Sequence, residues 1–197
     1  KAVQADLQWL RAQGWDAAIA RHLRYGGKLI GLCGGYQMLG NAIHDPLGLE
    51  GAPGSTPGLG LPDCDTRLEP NKQLRNVGRT FSLPPPSPRG RGAGGKGAAM
   101  HGYEIHLGIT RGPALDKPLV LRDDQRTDGA ISNDGQLLGS YCHGIFDHPD
   151  ALVALLEWAG MRPSERIDFA ARREQDIERL ADAVEATLDV ERLGLSG

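Results

Sequence analysis

A cysteine attacks a carbonyl carbon as its thiolate, and it needs a strained or polarised setting and a nearby base to do so. Of the three cysteines in this chain, Cys33 lies in such a setting. The run Lys28-Leu29-Ile30-Gly31-Leu32-Cys33-Gly34-Gly35-Tyr36-Gln37-Met38-Leu39-Gly40 passes from a short apolar segment, through a cysteine among glycines, into a segment able to form a helix. That is the order of a nucleophile elbow, a strained strand-to-helix turn that holds a reactive side chain clear of the sheet. Gly31 and Gly35 stand two residues either side of Cys33, where a Cβ is expected to crowd the neighbouring strand and helix. The backbone N–H of Gly34 can point at an oxyanion, and the new helix adds the positive end of its dipole, which favours thiolate over thiol. A buried structural cysteine at a strand end is the competing explanation. The flanking glycines favour the reactive one.

The base to look for is a histidine, and six are present: His22, His44, His101, His106, His143 and His148. His22 falls on a polar face of a helical pattern, and His44 and His148 sit among loop-forming residues. His143 closes the run Leu137-Leu138-Gly139-Ser140-Tyr141-Cys142-His143 and precedes Gly144. In an open α/β sheet such a strand end lines the same carboxyl-edge crevice as the elbow. The alternative is a strand-end histidine bonded to a backbone carbonyl. Cys142, its neighbour, is expected to point the other way, into the core. His101, Glu104 and His106 look like metal ligands, but on a strand only Glu104 and His106 share a face, so a hydrogen-bonded carboxylate and imidazole near the rim is the expectation and no metal site is assigned. Gly90 to Lys96 imitates a phosphate-binding loop. Gly97 stands where that motif needs Ser or Thr, and no strand precedes it or helix follows, so an exposed insertion is expected.

The elements that must position these groups can be read in order. Val3, Leu7 and Leu10 share a helical face that Gly14 stops, and Asp16 to Arg24 reads as a second helix with Asp16 placed to cap and Ile19, Ala20 and Leu23 inward. Gly26-Gly27 breaks it before the strand ending at Cys33, and Tyr36 to Ile43 is the helix after the elbow. His44 to Asp65 reads mostly as loop, with Gly58 to Leu61 a short strand. Strands are expected at Asn76 to Leu83, Met100 to Gly108, Pro118 to Leu121 and Ala130 to Ser132, with residues 84–99 forming a flexible Pro/Gly-rich insertion and Asp123-Asp124 a solvated turn. Pro149 opens a helix through Trp158 stopped by Gly160. A last amphipathic helix from Glu165 to Leu188 should turn Ile177, Leu180, Ala181, Val184 and Leu188 inward. Helix, strand and helix in succession indicate α/β layering.

Length and charge bound the rest. The 197 residues make about one domain with enough apolar content for a core, and a net charge of −3 with scattered basic residues argues against nucleic acid or an anionic membrane as partner. Three widely spaced cysteines suit a reducing cytoplasm better than a disulfide framework. No apolar stretch approaches membrane-spanning length. The chain opens on Lys1 directly in helical periodicity, which suggests a piece of something longer.

Three ordered segments carry a family likeness: Gly31-Leu32-Cys33-Gly34-Gly35-Tyr36-Gln37-Met38-Leu39-Gly40, Gly102-Tyr103-Glu104-Ile105-His106-Leu107-Gly108-Ile109-Thr110 and Gly139-Ser140-Tyr141-Cys142-His143-Gly144-Ile145-Phe146-Asp147. Together they resemble the C-terminal glutaminase domain of cobyric acid synthases, over nearly the whole chain apart from the insertion. The resemblance implies a single glutamine amidotransferase domain over residues 1–197, of class I, with a flavodoxin-like α/β sheet, helices on both faces and its first strand missing. It implies that Cys33 attacks the side-chain amide of glutamine, that His143 shuttles the proton, that Gly34 N–H holds the oxyanion and that Gln37 helps to hold the substrate. Glu104 and His106 are expected to support the site. Many relatives of this class carry a Glu two residues after the catalytic histidine. Here Ile145 holds that place, which leaves the group orienting His143 unassigned. Ammonia would pass to an absent synthetase domain, where ATP and Mg2+ serve the amidation of adenosylcobyrinic acid a,c-diamide. This domain itself needs no cofactor. The alternatives are the glutaminase subunit of an enzyme that amidates a cell-wall lipid precursor, and a truncated binding module without catalysis.

Overall fold

The computed structural model describes residues 2–81, 98–122, 125–161 and 168–188. In chain order the elements are α1 (Val3–Ala12), α2 (Trp15–Arg24), β1 (Leu29–Leu32), α3 (Gly34–Leu39), β2 (Ala42–Asp45), β3 (Gly54–Pro57), β4 (Asp65–Arg67), β5 (Gln73–Phe81), β6 (Ala99–His106), β7 (Ile109–Arg111), a 3-10 turn at Pro113–Asp116, β8 (Val120–Arg122), β9 (Thr127–Asp128), β10 (Ala130–Ile131), β11 (Leu137–Ser140), β12 (Cys142–His143), α4 (Pro149–Trp158) and α5 (Phe169–Thr187).

The site is built on a small sheet in the order β1-β11-β10, in which β1 and β11 run parallel with Leu32 opposite Ser140. Every residue of β11 is buried, because helices cover both of its faces. Leu138 faces a cluster that includes Ile145 and, from α4, Ala151, Leu155 and Trp158. Gly139, one residue on, faces Tyr36 of α3 instead. Each Leu buried this way contributes roughly 1.5–3 kcal/mol. Alternation of side chains along a strand thus places α3 and α4 on opposite sides of one sheet, the layering expected of this α/β fold.

After Ser140 the chain leaves this sheet. As β12 it pairs antiparallel with β6 in a five-stranded sheet ordered β12-β6-β5-β8-β9, with Cys142 opposite Glu104 and His143 opposite Tyr103. A third sheet, β3-β2-β4-β7, closes the structure beyond α3. Its strands lie where the sequence suggested helix and loop. Residues 34–39 are helical but Ala42–Asp45 is a strand, and Gly54–Pro57 rather than Gly58 to Leu61 pairs with it. The Gly58 to Leu61 segment has another task. The amides of Gly58, Leu59, Gly60 and Leu61 donate to the carbonyls of Asn41, Met38, Gly40 and Leu39, so this segment satisfies the carbonyls that a helix end leaves without intrahelical donors.

α1 packs Val3 and Leu7 against Ile43 and Leu68, and Glu50 accepts a hydrogen bond from its first amide at 2.6 Å. Gly14 ends α1 in the left-handed region, as its position suggested, and leads into α2. In α2 no residue is fully buried: Ile19 and Leu23 are half-covered and Ala20 is exposed. Asp16 lies inside the helix, accepting from Ala17 N, and does not cap it. The larger correction concerns α5. Ile177, Leu180 and Val184 are 52%, 65% and 42% exposed, and Ala181 and Leu188 are exposed too. Periodicity reports that a helix has an apolar stripe, not that the same chain supplies a surface to cover it. Residues 84–97 of the expected insertion, with the phosphate-loop imitation at Gly90 to Gly97, and the Asp123-Asp124 turn lie outside the described residues, while Ala99, placed at the end of that insertion, instead opens β6. No helix among the described residues is long and apolar enough to cross a membrane.

Candidate active site

Cys33 joins β1 to α3 with φ 52° and ψ −114°, a conformation that costs a non-glycine residue on the order of 1–3 kcal/mol and persists only when its surroundings over-determine it. They do so here. Its N–H continues the β1–β11 ladder to Ser140 O at 2.9 Å, and its carbonyl accepts from Gln37 N at 3.2 Å in the first turn of α3. The side chain, 6% exposed, is thereby pushed off the carboxyl end of β1. Its Sγ donates to Ile105 O on β6 at 3.7 Å. Gly34 N–H is the first amide of α3, and a Cβ on Gly34 would stand 3.1 Å from Val3 Cγ2 of α1. A Cβ on Gly35, contrary to the expectation from spacing, would meet nothing within 4 Å.

His143 arrives from the parallel neighbour. It lies three residues beyond Ser140, the last residue of β11 and the register partner of Leu32, which precedes Cys33. Its ring stacks on that of Tyr103, with centroids 5.0 Å apart and planes 10° apart. Cys33 and His143 therefore both lean on β6, at Ile105 and Tyr103, two residues apart on one strand. Cys142 is fully buried on the other face, as expected.

Asp128 fixes the link that carries His143, a role not foreseen in the sequence. Its carboxylate accepts from Ser140 Oγ at 2.5 Å and from Tyr141 N at 3.2 and 3.3 Å, and Ser140 Oγ accepts from Cys142 N at 2.9 Å. Gly129, at φ +77°, makes this approach feasible, since a Cβ there would lie 2.0 Å from Gly139 O.

Gln37 is 3% exposed. Its side-chain nitrogen donates to Leu107 O at 2.9 Å and to Tyr141 Oη at 3.2 Å. Tyr141 Oη also shares a 2.6 Å hydrogen bond with Thr110 Oγ1, which in turn bonds Thr66 Oγ1 at 2.8 Å. His106 stacks on Tyr141 at 3.7 Å and donates from Nδ1 to Gly108 O at 3.1 Å. Burial raises the Tyr141 phenol to about 12 against the pull of its Thr110 and Gln37 hydrogen bonds, raises the Cys64 thiol to about 11, and raises Tyr36 further still. All three are neutral structural groups at ordinary pH.

Glu104 is paired in register with Cys142, not His143, so it emerges on the face away from the imidazole. Its carboxylate takes Arg122 Nη1 at 3.0 and 3.2 Å in a buried ion pair. Glu104, His106, Thr110, Arg122, Asp128 and Tyr141 line a polar cavity of about 330 Å3 on that face. Among the described residues no group of three His, Cys, Asp or Glu is placed to hold a metal ion.

A family model for CobB/CobQ-like glutamine amidotransferase domains matches residues 1–151. Among solved structures, one described as a glutamine amidotransferase aligns at 17% identity and a TM-score of 0.50, over 81% of this chain and 75% of that one. That likeness is one of fold. PurLQS from Thermotoga maritima aligns at 13% identity and a TM-score of 0.48, over 73% of this chain and 67% of its own.

Proposed function

The chain belongs to the family of CobB/CobQ-like glutamine amidotransferase domains, and on that premise we propose that it is the glutaminase half of a cobyric acid synthase. The observation that carries the proposal is the strained Cys33 at the end of β1, paired in parallel with β11, the strand whose chain runs on to His143.

In the proposed reaction Cys33, having passed its proton to His143, attacks the side-chain amide carbon of glutamine. The Gly34 N–H at the start of α3 donates to the oxyanion of the tetrahedral intermediate, a kind of interaction worth about 3–4 kcal/mol in such sites. As the C–N bond breaks, the imidazolium of His143 gives the departing nitrogen its proton, and ammonia leaves behind a thioester on Cys33. Water, deprotonated by the now neutral His143, then attacks the thioester carbonyl. Glutamate leaves, and the thiol is restored. Gln37 spends its side-chain N–H groups on Leu107 and Tyr141, so any contact it makes with glutamine would run through Oε1 or the backbone. Glu104 and His106 support the site through Arg122 and Tyr141.

The acceptor follows from the resemblance to cobyric acid synthases. Ammonia would pass to a synthetase domain, where ATP and Mg2+ act, for amidation of adenosylcobyrinic acid a,c-diamide. The test is labelling with a diazoketone analogue of glutamine, located by peptide mass spectrometry, in the wild type, Cys33→Ala and His143→Ala. Modification at Cys33, lost in Cys33→Ala and slowed in His143→Ala, is expected. A folded chain labelled at Cys64 or Cys142, or not labelled, overturns the reading. Glutamine-dependent amidation of the corrinoid, and not of a cell-wall lipid precursor, by the chain with a synthetase domain checks the acceptor.

A further inference from the structure

An imidazole that must take a proton from one atom and return it to another works only if its ring plane is held. Neither position 145 nor Glu104, the two places where the sequence directs attention for a supporting carboxylate, supplies that hold. Position 145 is Ile145, fully buried in the apolar cluster with Leu138, Ala151, Leu155 and Trp158. Glu104 is on the opposite face of β6, ion-paired to Arg122. On the face where His143 projects, its register partner is Tyr103. Directly opposed residues of an antiparallel pair put their side chains on one face, close enough for rings to meet, and these two lie nearly parallel, 10° apart, with centroids at 5.0 Å. That separation is within the range of attractive stacked pairs. Tyr103 is itself 45% exposed, so core packing is a small part of its role.

We propose that Tyr103 is a positioning residue: its ring face fixes the plane of the His143 imidazole for proton transfer with Cys33. The inference rests on the glutaminase reading for its consequence. The geometry leads to a specific pattern among variants. Tyr103→Phe keeps the ring and keeps the function. Tyr103→Leu keeps an apolar side chain on the strand but loses the flat face.

The test compares wild type, Tyr103→Phe, Tyr103→Leu and His143→Ala in two assays. In steady-state glutamine hydrolysis, Tyr103→Leu is expected to lower kcat about tenfold with KM within about twofold, since misoriented proton transfer affects the transition state and leaves substrate binding in place. Tyr103→Phe should match wild type. The second assay is alkylation of Cys33 by iodoacetamide, which needs no glutamine. There His143→Ala should slow the reaction most and Tyr103→Leu partly, with Tyr103→Phe again unchanged. If His143→Ala slows alkylation while Tyr103→Leu matches wild type in both assays, the positioning role is refuted and the dyad stands. Should wild type alkylate in the expected order of variants yet hydrolyse no glutamine, the glutaminase reading falls and the positioning role survives. An unchanged rate in His143→Ala removes both.

Discussion

Gly31 on β1 and Gly139 on β11 are Cα partners, and α3 is seated on the pair. A Cβ at Gly139 would lie 2.1 Å from the Tyr36 ring, and one at Gly31 would lie 2.4 Å from Leu39 Cδ1. Two adjacent residues without side chains thus make the flat area that lets the helix carrying the elbow lie close to the sheet. The collisions differ in kind: Leu39 can change rotamer, whereas the buried Tyr36 ring has little room to move. Gly139→Ala is therefore expected to cost about 1–3 kcal/mol or more, with a larger fall in Tm than Gly31→Ala. It should also reduce labelling of Cys33 well below its melting temperature. Equal and small effects of the two substitutions would show that α3 is not seated as described.

The conformation of Cys33 makes its own prediction. Cys33→Ala removes the thiol but keeps a Cβ at φ 52°, whereas Cys33→Gly removes the steric cost as well. Both variants should be inert to glutamine analogues, yet Cys33→Gly should be the more stable of the two by about 1 kcal/mol, against the usual order for a Gly–Ala pair outside the left-handed region. Urea unfolding of the two proteins decides it. If Cys33→Ala is equally or more stable, the elbow stores no strain.

How far these features could be read in advance depended on whether they were local. Gly31-Leu32-Cys33-Gly34 displayed the elbow because a strand, a turn and a helix start lie within one short run. Pro149 and Gly160 bounded α4 in the same way. The partners of β6 could not be read so, because register between distant strands depends on what packs where, and a shift of one residue exchanges the faces. Glu104 and Tyr103 are neighbours in sequence, and only the pairing of His143 with Tyr103 tells which of them faces the imidazole. The role of Asp128 could not be read at all, because its partners, Ser140 and Tyr141, lie a dozen residues on. The short strand β2 was hidden in a run read as the end of a helix and β3 in a polar, glycine-rich loop, since their pairing and not their hydrophobicity defines them.

The ion pair between Glu104 and Arg122 separates a structural from a chemical role. Both side chains are 7% exposed, and breaking a buried pair by removing one charge costs about 3–5 kcal/mol. Glu104→Gln should accordingly lower the unfolding midpoint strongly, and whatever fraction remains folded should hydrolyse glutamine with nearly the wild-type kcat. A stable Glu104→Gln protein with a collapsed kcat would instead place this carboxylate in the proton transfer itself.

Alkaline pH probes the interior behind the site. Tyr141 and Cys64 are neutral when protonated, and burial raises the phenol from 10.0 to about 12 and the thiol from 9.0 to about 11. Below the lower of these values both groups are protonated whether the chain is folded or not, and their contribution to stability is fully present. Between 9.0 and about 11 the unfolded chain gives up the thiol proton that the fold retains, and between 10.0 and about 12 the same holds for the phenol. The unfolded state then binds fewer protons, so stability falls as pH rises. At about 1.4 kcal/mol per pH unit the loss is on the order of 2–3 kcal/mol for each group, and Tyr36, raised for the same reason, steepens it. Tyr141→Phe should start less stable, because Gln37 and Thr110 lose their shared partner, at a cost of about 1–3 kcal/mol. Its stability should nevertheless decline more slowly than that of wild type from pH 10 upward, while Cys64→Ala should flatten the curve from pH 9 upward. Urea midpoints measured across this range test the assignment. Curves that run parallel for wild type and both variants would mean that neither group keeps its proton in the folded core.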